Sequence, residues 1–275
     1  MNAGFLPFHA GEKAAQHLAG VDVAQAPIRP FMPDQHRDFF ASLPLLWVAL
    51  PDANGAPLAT VLSGEPGFID SPDPQRLTIA ALPAAPLVAR RGAPIGLLGL
   101  EHHTRRRNRA NGHVESIGPL GFSVRVEESF GNCPRFITPR EALPVARQRE
   151  TQALAALDAD ARALIGTADT AFIATSGAAT GGMDMSHRGG PPGFMALEGE
   201  TVTIPDFPGN RFFNTLGNLL LEPRAALLLP DFTQGRALLL QGRAETRWEG
   251  ERAVQFHTEH AWWQEGVLPF TWAPA

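Results

Sequence analysis

Two arginines in the second half of the chain stand where an anion could be bound. Arg188 ends a short segment, Asp184–Arg188, that precedes a turn rich in glycine and proline. Arg211 closes a Gly-Asn-Arg turn after a second strand that we expect to end at Pro205, and the apolar residues behind it predict a helix. A guanidinium is a planar fork with a permanent charge, and the first turn of a helix points free N–H groups outward. With Arg211 in that first turn, the two arginines predict a phosphate site.

Four segments around these arginines resemble one protein family. They are Ser186–Phe194, Ile204–Arg211, Asn218–Arg224 and Leu240–Glu245. In this order they resemble the pyridoxamine 5'-phosphate oxidase-like family of FMN-binding split β-barrels, over roughly residues 165–247. The resemblance implies a six-stranded split barrel that holds FMN non-covalently, with arginines on a strand and at a helix start binding the phosphate.

The resemblance also implies the cofactor-binding residues, which are Ser186, His187, Arg188, Gly189, Ile204, Pro205, Asn210 and Arg211. Relatives often carry Arg-Lys at the helix start, whereas this chain has Arg211 followed by Phe212. One cationic contact is therefore missing, and we expect the affinity to depend more on Arg188. The residues alone leave His187 open as an ordinary barrel residue and Ser186 as a strand hydroxyl bonded to a neighbour.

The chain repeats a pattern of strands and turns. Leu45–Leu50, Pro57–Phe68 and Leu77–Ile79 follow one another as Ala171–Ser176, Met183–Phe194 and Val202–Ile204 do later. Two copies at a long period favour duplicated domains over a solenoid. We therefore predict a mainly β fold with flanking helices (α+β), in which two tandem split-barrel lobes pack as a pseudo-dimer.

The expected boundaries are an N-terminal arm at 1–33, a first lobe at 34–143 and a second lobe at 144–275. Helix formers at helical spacing predict a helix at Leu154–Ile165, and a comparable helix at Asp34–Leu43 precedes the first lobe.

The two copies differ as binding sites. Leu62 stands in the first copy where Arg188 stands in the second, and the segment after Ile79 has no Gly-Asn-Arg turn. We therefore expect one flavin site per pair of lobes, built mainly from the second. The cluster at Thr104–Arg109 allows three interpretations: a solvated strand with arginines on alternating faces, a segment of the two-lobed relatives that reaches across to the flavin, or a nucleic-acid contact.

Composition narrows the functional class. A net charge of −5 over 275 residues argues against broad nucleic-acid binding, which needs a basic surface. The sequence has no apolar run long enough to cross a bilayer and no signal-peptide pattern at its start, so the cytoplasm is the expected compartment. Cys133 is the single cysteine, which excludes an internal disulfide, and Lys13 is the single lysine, which excludes a P-loop.

Two other groups of residues carry weaker signals. His257 and His260 lie three apart on an expected helix and could share a metal, but no third ligand is evident, so no metal site is predicted. Cys133 is interpreted as a packing thiol rather than a reactive one.

The expected activity follows from the cofactor. Pyridoxamine phosphate oxidation itself is disfavoured, because the enzyme that performs it uses a tyrosine for the substrate phosphate and this chain has no tyrosine. We expect an FMN-dependent oxidoreductase that acts on an unassigned small molecule and is reduced by nicotinamide or by a separate NAD(P)H-dependent reductase, as a monomeric pseudo-dimer or a homodimer. The alternative is a non-catalytic protein that binds or stores a flavin, a deazaflavin or haem.

Overall fold

The computed structural model describes residues 4–177, 182–209 and 211–274, and most of its regular structure is β. The prediction of a mainly β fold is confirmed. The helices are α1 Ala10–Leu18, α2 Asp34–Ser42, α3 Ala159–Thr167 and α4 Asn214–Leu221. Within these ranges no helix combines the length and the hydropathy needed to cross a bilayer.

A seven-stranded antiparallel sheet, here the first sheet, occupies the first half of the chain. Its strands are β1 Leu45–Pro51, β2 Pro57–Ser63, β3 Ile69–Asp73, β4 Arg76–Ile79, β5 Pro94–Glu101, β6 Arg106–Gly118 and β7 Gly121–Gly131. Every residue of β1 and β2 is buried. Such runs, apolar on both faces, are typical of strands covered on both sides.

An eight-stranded sheet, here the second sheet, and a two-stranded sheet complete the fold. The second sheet contains β9 Glu150–Leu154, β10 Thr170–Gly177, β11 Gly182–Gly189, β12 Ala196–Glu198, β13 Thr201–Pro205, β14 Arg224–Asp231, β15 Arg236–Arg247 and β16 Ala253–Glu265. The two-stranded sheet pairs β8 Arg140–Pro144 with β17 Phe270–Pro274.

Both large sheets have the same strand order. It runs β2-β1-β5-β6-β7-β4-β3 in the first and β11-β10-β14-β15-β16-β13-β12 in the second, where β9 joins β16. The fourth strand of each order has an irregularity at the equivalent place, since the register shifts between Asn111 and Gly112 in β6 and between Gln241 and Gly242 in β15. A side chain at either glycine would collide with a carbonyl oxygen of the neighbouring strand. Both glycines are therefore required by the close approach of backbone at a β-bulge.

The two sheets pack on each other through one continuous core. The rings of Trp47 in β1 and Phe172 in β10 stack with centroids 3.7 Å apart and planes 14° apart. In their sheets these residues occupy equivalent places, because Trp47 pairs with Leu98 and Phe172 pairs with Leu228. The contact therefore joins corresponding points of the two sheets, as an isologous interface does.

The segment expected as an N-terminal arm carries helix α1, which packs on α4. His9 and Glu12 form a capping box at its start, in which the side chain of each residue accepts a hydrogen bond from the backbone N–H of the other. Gly11 of α1 and Gly217 of α4 face each other so closely that a Cβ on either would collide with the other helix. The two glycines thus allow α1 to lie directly against α4.

Two of the four expected helices are corrected by the structure, and the other two are present, including the helix behind Arg211, which is α4. The helix at 34–43 is present as α2. The helix expected at 154–165 begins only at Ala159, because Asp158 accepts a hydrogen bond from the Ala161 N–H and caps it, and Leu154 belongs to strand β9.

The segment with His257 and His260 is strand β16 and not a helix. Buried Val254, Phe256 and Thr258 alternate with more exposed neighbours, which is the period of a strand. Both histidines are exposed, and the described residues contain no group of three metal-ligating side chains.

Candidate functional site

A cavity of about 460 Å³ lies between the two sheets, where β6 of the first approaches β11 of the second. The start of α4, the loop 132–136 and the loop 205–209 complete its wall. Among the described residues its lining holds one carboxylate, Asp206, and six arginines: Arg107, Arg109, Arg135, Arg188, Arg211 and Arg252. This wall is strongly electropositive and favours an anionic ligand.

Arg107 reaches from β6 across to the second sheet. Its Nη1 lies 2.7 Å from Nδ1 of His187 on β11. No carboxylate of the described residues lies within 4.0 Å of this guanidinium, and its Nε is buried without a partner there. Burial and the neighbouring charge of Arg109 lower the pKa of Arg107 to about 10. A half-buried cation without a counter-ion is a place for a ligand's negative charge.

Arg109 is the second arginine that crosses between the sheets. Its Nη1 lies 3.0 Å from Oδ1 of Asp184, and its Nη2 donates to the Ser186 hydroxyl over 2.5 Å. Asp184 also accepts from the side-chain amides of Asn111 and Asn218, at 2.6 and 2.9 Å. Since all these groups are buried, the network fixes Ser186 and β11 against the first sheet.

Arg188 is held by a carboxylate in the loop that follows β13 of the second sheet. Its Nη1 lies 2.8 Å from Oδ1 of Asp206, whose Oδ2 lies 2.7 Å from Nε of Arg252. Two guanidinium groups thus share one carboxylate, which leaves a net positive charge. Nε of Arg188 is buried and has no partner among the described residues.

Arg211 lines the cavity but does not lie in the first turn of a helix, which corrects the sequence-based expectation. Arg211 and Phe213 both adopt the left-handed conformation, with φ of 62° and 64°, so helical geometry cannot begin before Asn214. Asn214 and Thr215 of α4 line the cavity together with Arg211. Phe213, the N-cap residue of α4, gives no side-chain hydrogen bond to the first N–H groups of this helix, and such groups suit an anion.

The expected site residues divide into three groups. Ser186, His187, Arg188, Gly189, Pro205 and Arg211 all line the cavity. Ile204 points into the core of the second sheet, where it is 1% exposed. Asn210 lies outside the described residues.

Gly189 is required at its position. A Cβ there would collide with the carbonyl oxygen of Phe136, in the loop from the first sheet. Phe136 itself has a φ of 61°, and its ring stacks on Phe207 with centroids 5.0 Å apart. These two rings bring the loops of the two sheets together at the edge of the cavity.

Several cavity residues were not among the expected cofactor-binding residues. Asp206 and Arg252 are brought together only by the pairing of β13 with β16. Gly20 and Val21, which follow α1, line the cavity because α1 packs on α4. In the cluster at 104–109, the first residues form a turn and Arg106 is exposed, whereas Arg107 and Arg109 share one face of β6 and point to the cavity.

Comparison with protein-family models gives no match, and comparison with curated proteins gives none either. Among solved structures, an FAD-binding protein from Mesorhizobium loti is 12% identical, with a TM-score of 0.31 over 42% of this chain and 97% of that chain. A candidate pyridoxamine 5'-phosphate oxidase from Lactobacillus delbrueckii is 19% identical, with a TM-score of 0.29 over 37% of this chain and 94% of that one. MrkH of K. pneumoniae, in complex with c-di-GMP, is 8% identical, with a TM-score of 0.23 over 80% of this chain and 78% of its own.

Proposed function

We propose that the cavity between the sheets binds FMN and that the protein is an FMN-dependent oxidoreductase for a small molecule. The observation that carries this proposal is the charge of the lining, six arginines against the single carboxylate Asp206 among the described residues. A phosphate monoester carries about 1.5 to 2 negative charges at neutral pH and accepts several hydrogen bonds. It would complement the guanidinium of Arg107, which has no counter-ion among the described residues, and the buried Nε of Arg188.

The size and the position of the cavity suit one small ligand rather than a polymer. A volume of about 460 Å³ falls in the range of roughly 300–1,000 Å³ that is typical of small-molecule and cofactor sites. The flavin itself is suggested by the resemblance of Ser186–Phe194 and Ile204–Arg211 to the FMN-binding split barrels.

We also propose that the two sheets are duplicated lobes packed as a pseudo-dimer with one ligand site. Strand register makes Leu62 the counterpart of Arg188, and Leu239 the counterpart of Arg109. The symmetry-related place is therefore apolar, and it could not hold a phosphate. The equal strand order of the sheets supports this interpretation.

Bound FMN would supply electron transfer, and the chain would supply binding, orientation and exclusion of water. Arg188, Arg211 and the start of α4 would hold the phosphate. His187 and Ser186, fixed by Arg107 and Arg109 of the first sheet, would line the flavin. A separate NAD(P)H-dependent reductase is the proposed source of electrons, and the substrate is unassigned.

One observation favours the alternative, a protein that binds a flavin, a deazaflavin or haem without turnover. The carboxylate and the imidazole of the described lining are both engaged with arginines, because Asp206 contacts Arg188 and Arg252 and His187 contacts Arg107. Anaerobic mixing with NADH or NADPH separates the two functions. Bleaching of the yellow protein supports an enzyme, and retention of colour with every reductant supports binding alone.

Comparison of FMN with riboflavin tests the binding proposal. The two ligands differ only in the phosphate, so quenching of flavin fluorescence should give a dissociation constant for riboflavin at least a hundredfold larger, as expected for loss of two charge-assisted hydrogen bonds. Equal affinities would mean that the arginines do not bind the phosphate. Absence of quenching by either flavin would refute the proposal.

A further inference from the structure

His187 is held in one orientation at the centre of the cavity wall. Its side chain is buried, and its ring meets the ring of Phe172 edge-on at 5.4 Å. A Cβ on Gly189 would lie 2.7 Å from Cε1 of His187, so the backbone of Gly189 packs closely against the ring. The imidazole therefore has little freedom to turn.

The contact with Arg107 determines where the proton of His187 lies. A guanidinium has donors only, so Nδ1 of His187 must accept the hydrogen bond from Nη1 over 2.7 Å. An accepting Nδ1 carries no proton, and the single proton of the neutral ring then lies on Nε2. We infer that Arg107 is a positioning residue that fixes His187 as the neutral Nε2–H tautomer, an uncharged donor for an acceptor atom of the ligand. For the identity of that ligand, the inference rests on the proposed FMN function.

The charges around His187 agree with this geometry. The groups that face it are Arg107 from β6, His102 from the turn after β5, Arg188 from β11 and Arg140 from β8. Burial first, and then these groups, lower the pKa of His187 well below its ordinary value. The ring thus stays neutral across the physiological range of pH.

The Nε2–H group has no acceptor among the described residues, although it is buried. Buried donors in folded proteins are nearly always paired, so an unpaired donor on a residue that lines a cavity is a place where a ligand can bind. The arginines of the lining suit a phosphate, whereas an N–H group without charge suits a ring carbonyl or an unprotonated ring nitrogen. His187 would therefore select the acceptor edge of a planar ring, such as the pyrimidine edge of a flavin.

Nuclear magnetic resonance of protein labelled with ¹⁵N-histidine tests the tautomer without any ligand. The signals of His187, assigned by their loss in His187→Gln, should show the neutral Nε2–H form from pH 5 to pH 8. A proton on Nδ1, or a charged ring in this range, would overturn the inference. The tautomer is read from the wild-type spectrum, and the variant serves only to assign the signals.

Variants of Arg107 test whether this residue fixes the tautomer of His187. In Arg107→Leu the donor and the nearest charge are both lost, so the pKa of His187 should rise and the Nδ1–H form should appear. Arg107→Lys retains a donor and a charge and should restore the Nε2–H form. The exposed Arg105 provides the matched control, and Arg105→Leu should leave the spectrum unchanged. Identical spectra for the wild type and Arg107→Leu would show that Arg107 does not position the ring.

FMN serves as the probe for the ligand contact. His187→Leu should weaken FMN binding about tenfold, which is the value of one hydrogen bond, while His187→Gln keeps an N–H donor and should change the affinity by less than about threefold. Unchanged affinity in His187→Leu would overturn the ligand contact. Complete lack of FMN binding by the wild type would instead refute the proposed function and leave the tautomer result standing.

Discussion

Arg109 of the first sheet and Asp184 of the second form an ion pair of 3.0 Å that is buried from solvent. The pair lies between the sheets, and Arg109 also lines the cavity. The same contact therefore holds the sheets together and fixes one part of the cavity wall. Removal of one partner of such a pair leaves a buried charge and commonly costs about 3–5 kcal/mol.

We expect Arg109→Met and Asp184→Asn each to lower the free energy of unfolding by about 3 kcal/mol, measured by urea denaturation. The double variant should lose less than the sum of the two, by about 1–3 kcal/mol, because each single variant leaves the other group unpaired. Strict additivity would show that the two side chains do not interact in solution.

Glu12 should make stability depend on pH. Burial raises the pKa of Glu12 from 4.5 to about 8. Between these values the unfolded chain releases a proton that the folded chain keeps, so the free energy of unfolding should fall as the pH rises from about 4.5 to about 8 and should then level off. The total change is on the order of 3–5 kcal/mol, from roughly 1.4 kcal/mol per pKa unit.

The variant Glu12→Gln should remove most of this slope, and urea denaturation at pH 5, 7 and 9 measures it. The pKa of Glu128 is raised as well, chiefly by burial, so a smaller slope of the same sign should persist. The exposed Glu65 supplies the control, since Glu65→Gln should retain the wild-type slope. A slope that is equal in Glu12→Gln and wild type would contradict the burial of a neutral Glu12.

Arg188 and Arg211 should each contribute to FMN affinity through the phosphate. Replacement of either by alanine should raise the dissociation constant of FMN about tenfold to a hundredfold, which corresponds to a charge-assisted hydrogen bond. The affinity for riboflavin, which has no phosphate, should change little. Arg125→Ala, at an exposed position of β7, is the control for the loss of one positive charge.

Cys133 offers a direct report on occupancy of the cavity. It lines the cavity, is partly exposed, and is the single cysteine of the chain, so alkylation by iodoacetamide has one target. Saturating FMN should slow the alkylation at least tenfold, whereas Cys133→Ser should take up no label. Equal rates with and without FMN would place the ligand elsewhere.

The central strands of the two sheets could be predicted from the sequence, because a run of apolar residues bounded by turn residues is a local signal for a buried strand. The runs Leu45–Leu50 and Ala171–Ser176 are apolar and bounded by turns, and both form buried central strands. The equivalence of Leu62 with Arg188 could be predicted for the same reason. The hydrophobic pattern of a strand fixes its register with its neighbour, and Leu62 and Arg188 pair with equivalent residues of the two central strands.

Residues whose position depends on distant parts of the chain could not be predicted in this way. Arg211 was expected in a helix, but Arg211 and Phe213 take the left-handed conformation and α4 begins only at Asn214. His257 and His260 were placed on a helix because their spacing fits one, and their pairing with β13 and β15 made the segment a strand. Likewise, nothing local indicates that Arg107 meets His187, 80 residues later in the chain.

The absorbance spectrum of freshly purified protein tests the central claim most directly. Bound FMN should give flavin bands in the visible range, and the released flavin should amount to one molecule per chain, because the counterpart site at Leu62 and Leu239 is apolar. A colourless protein that stays colourless after incubation with FMN and gel filtration would contradict the claim. Two flavins per chain would contradict the assignment of a single site.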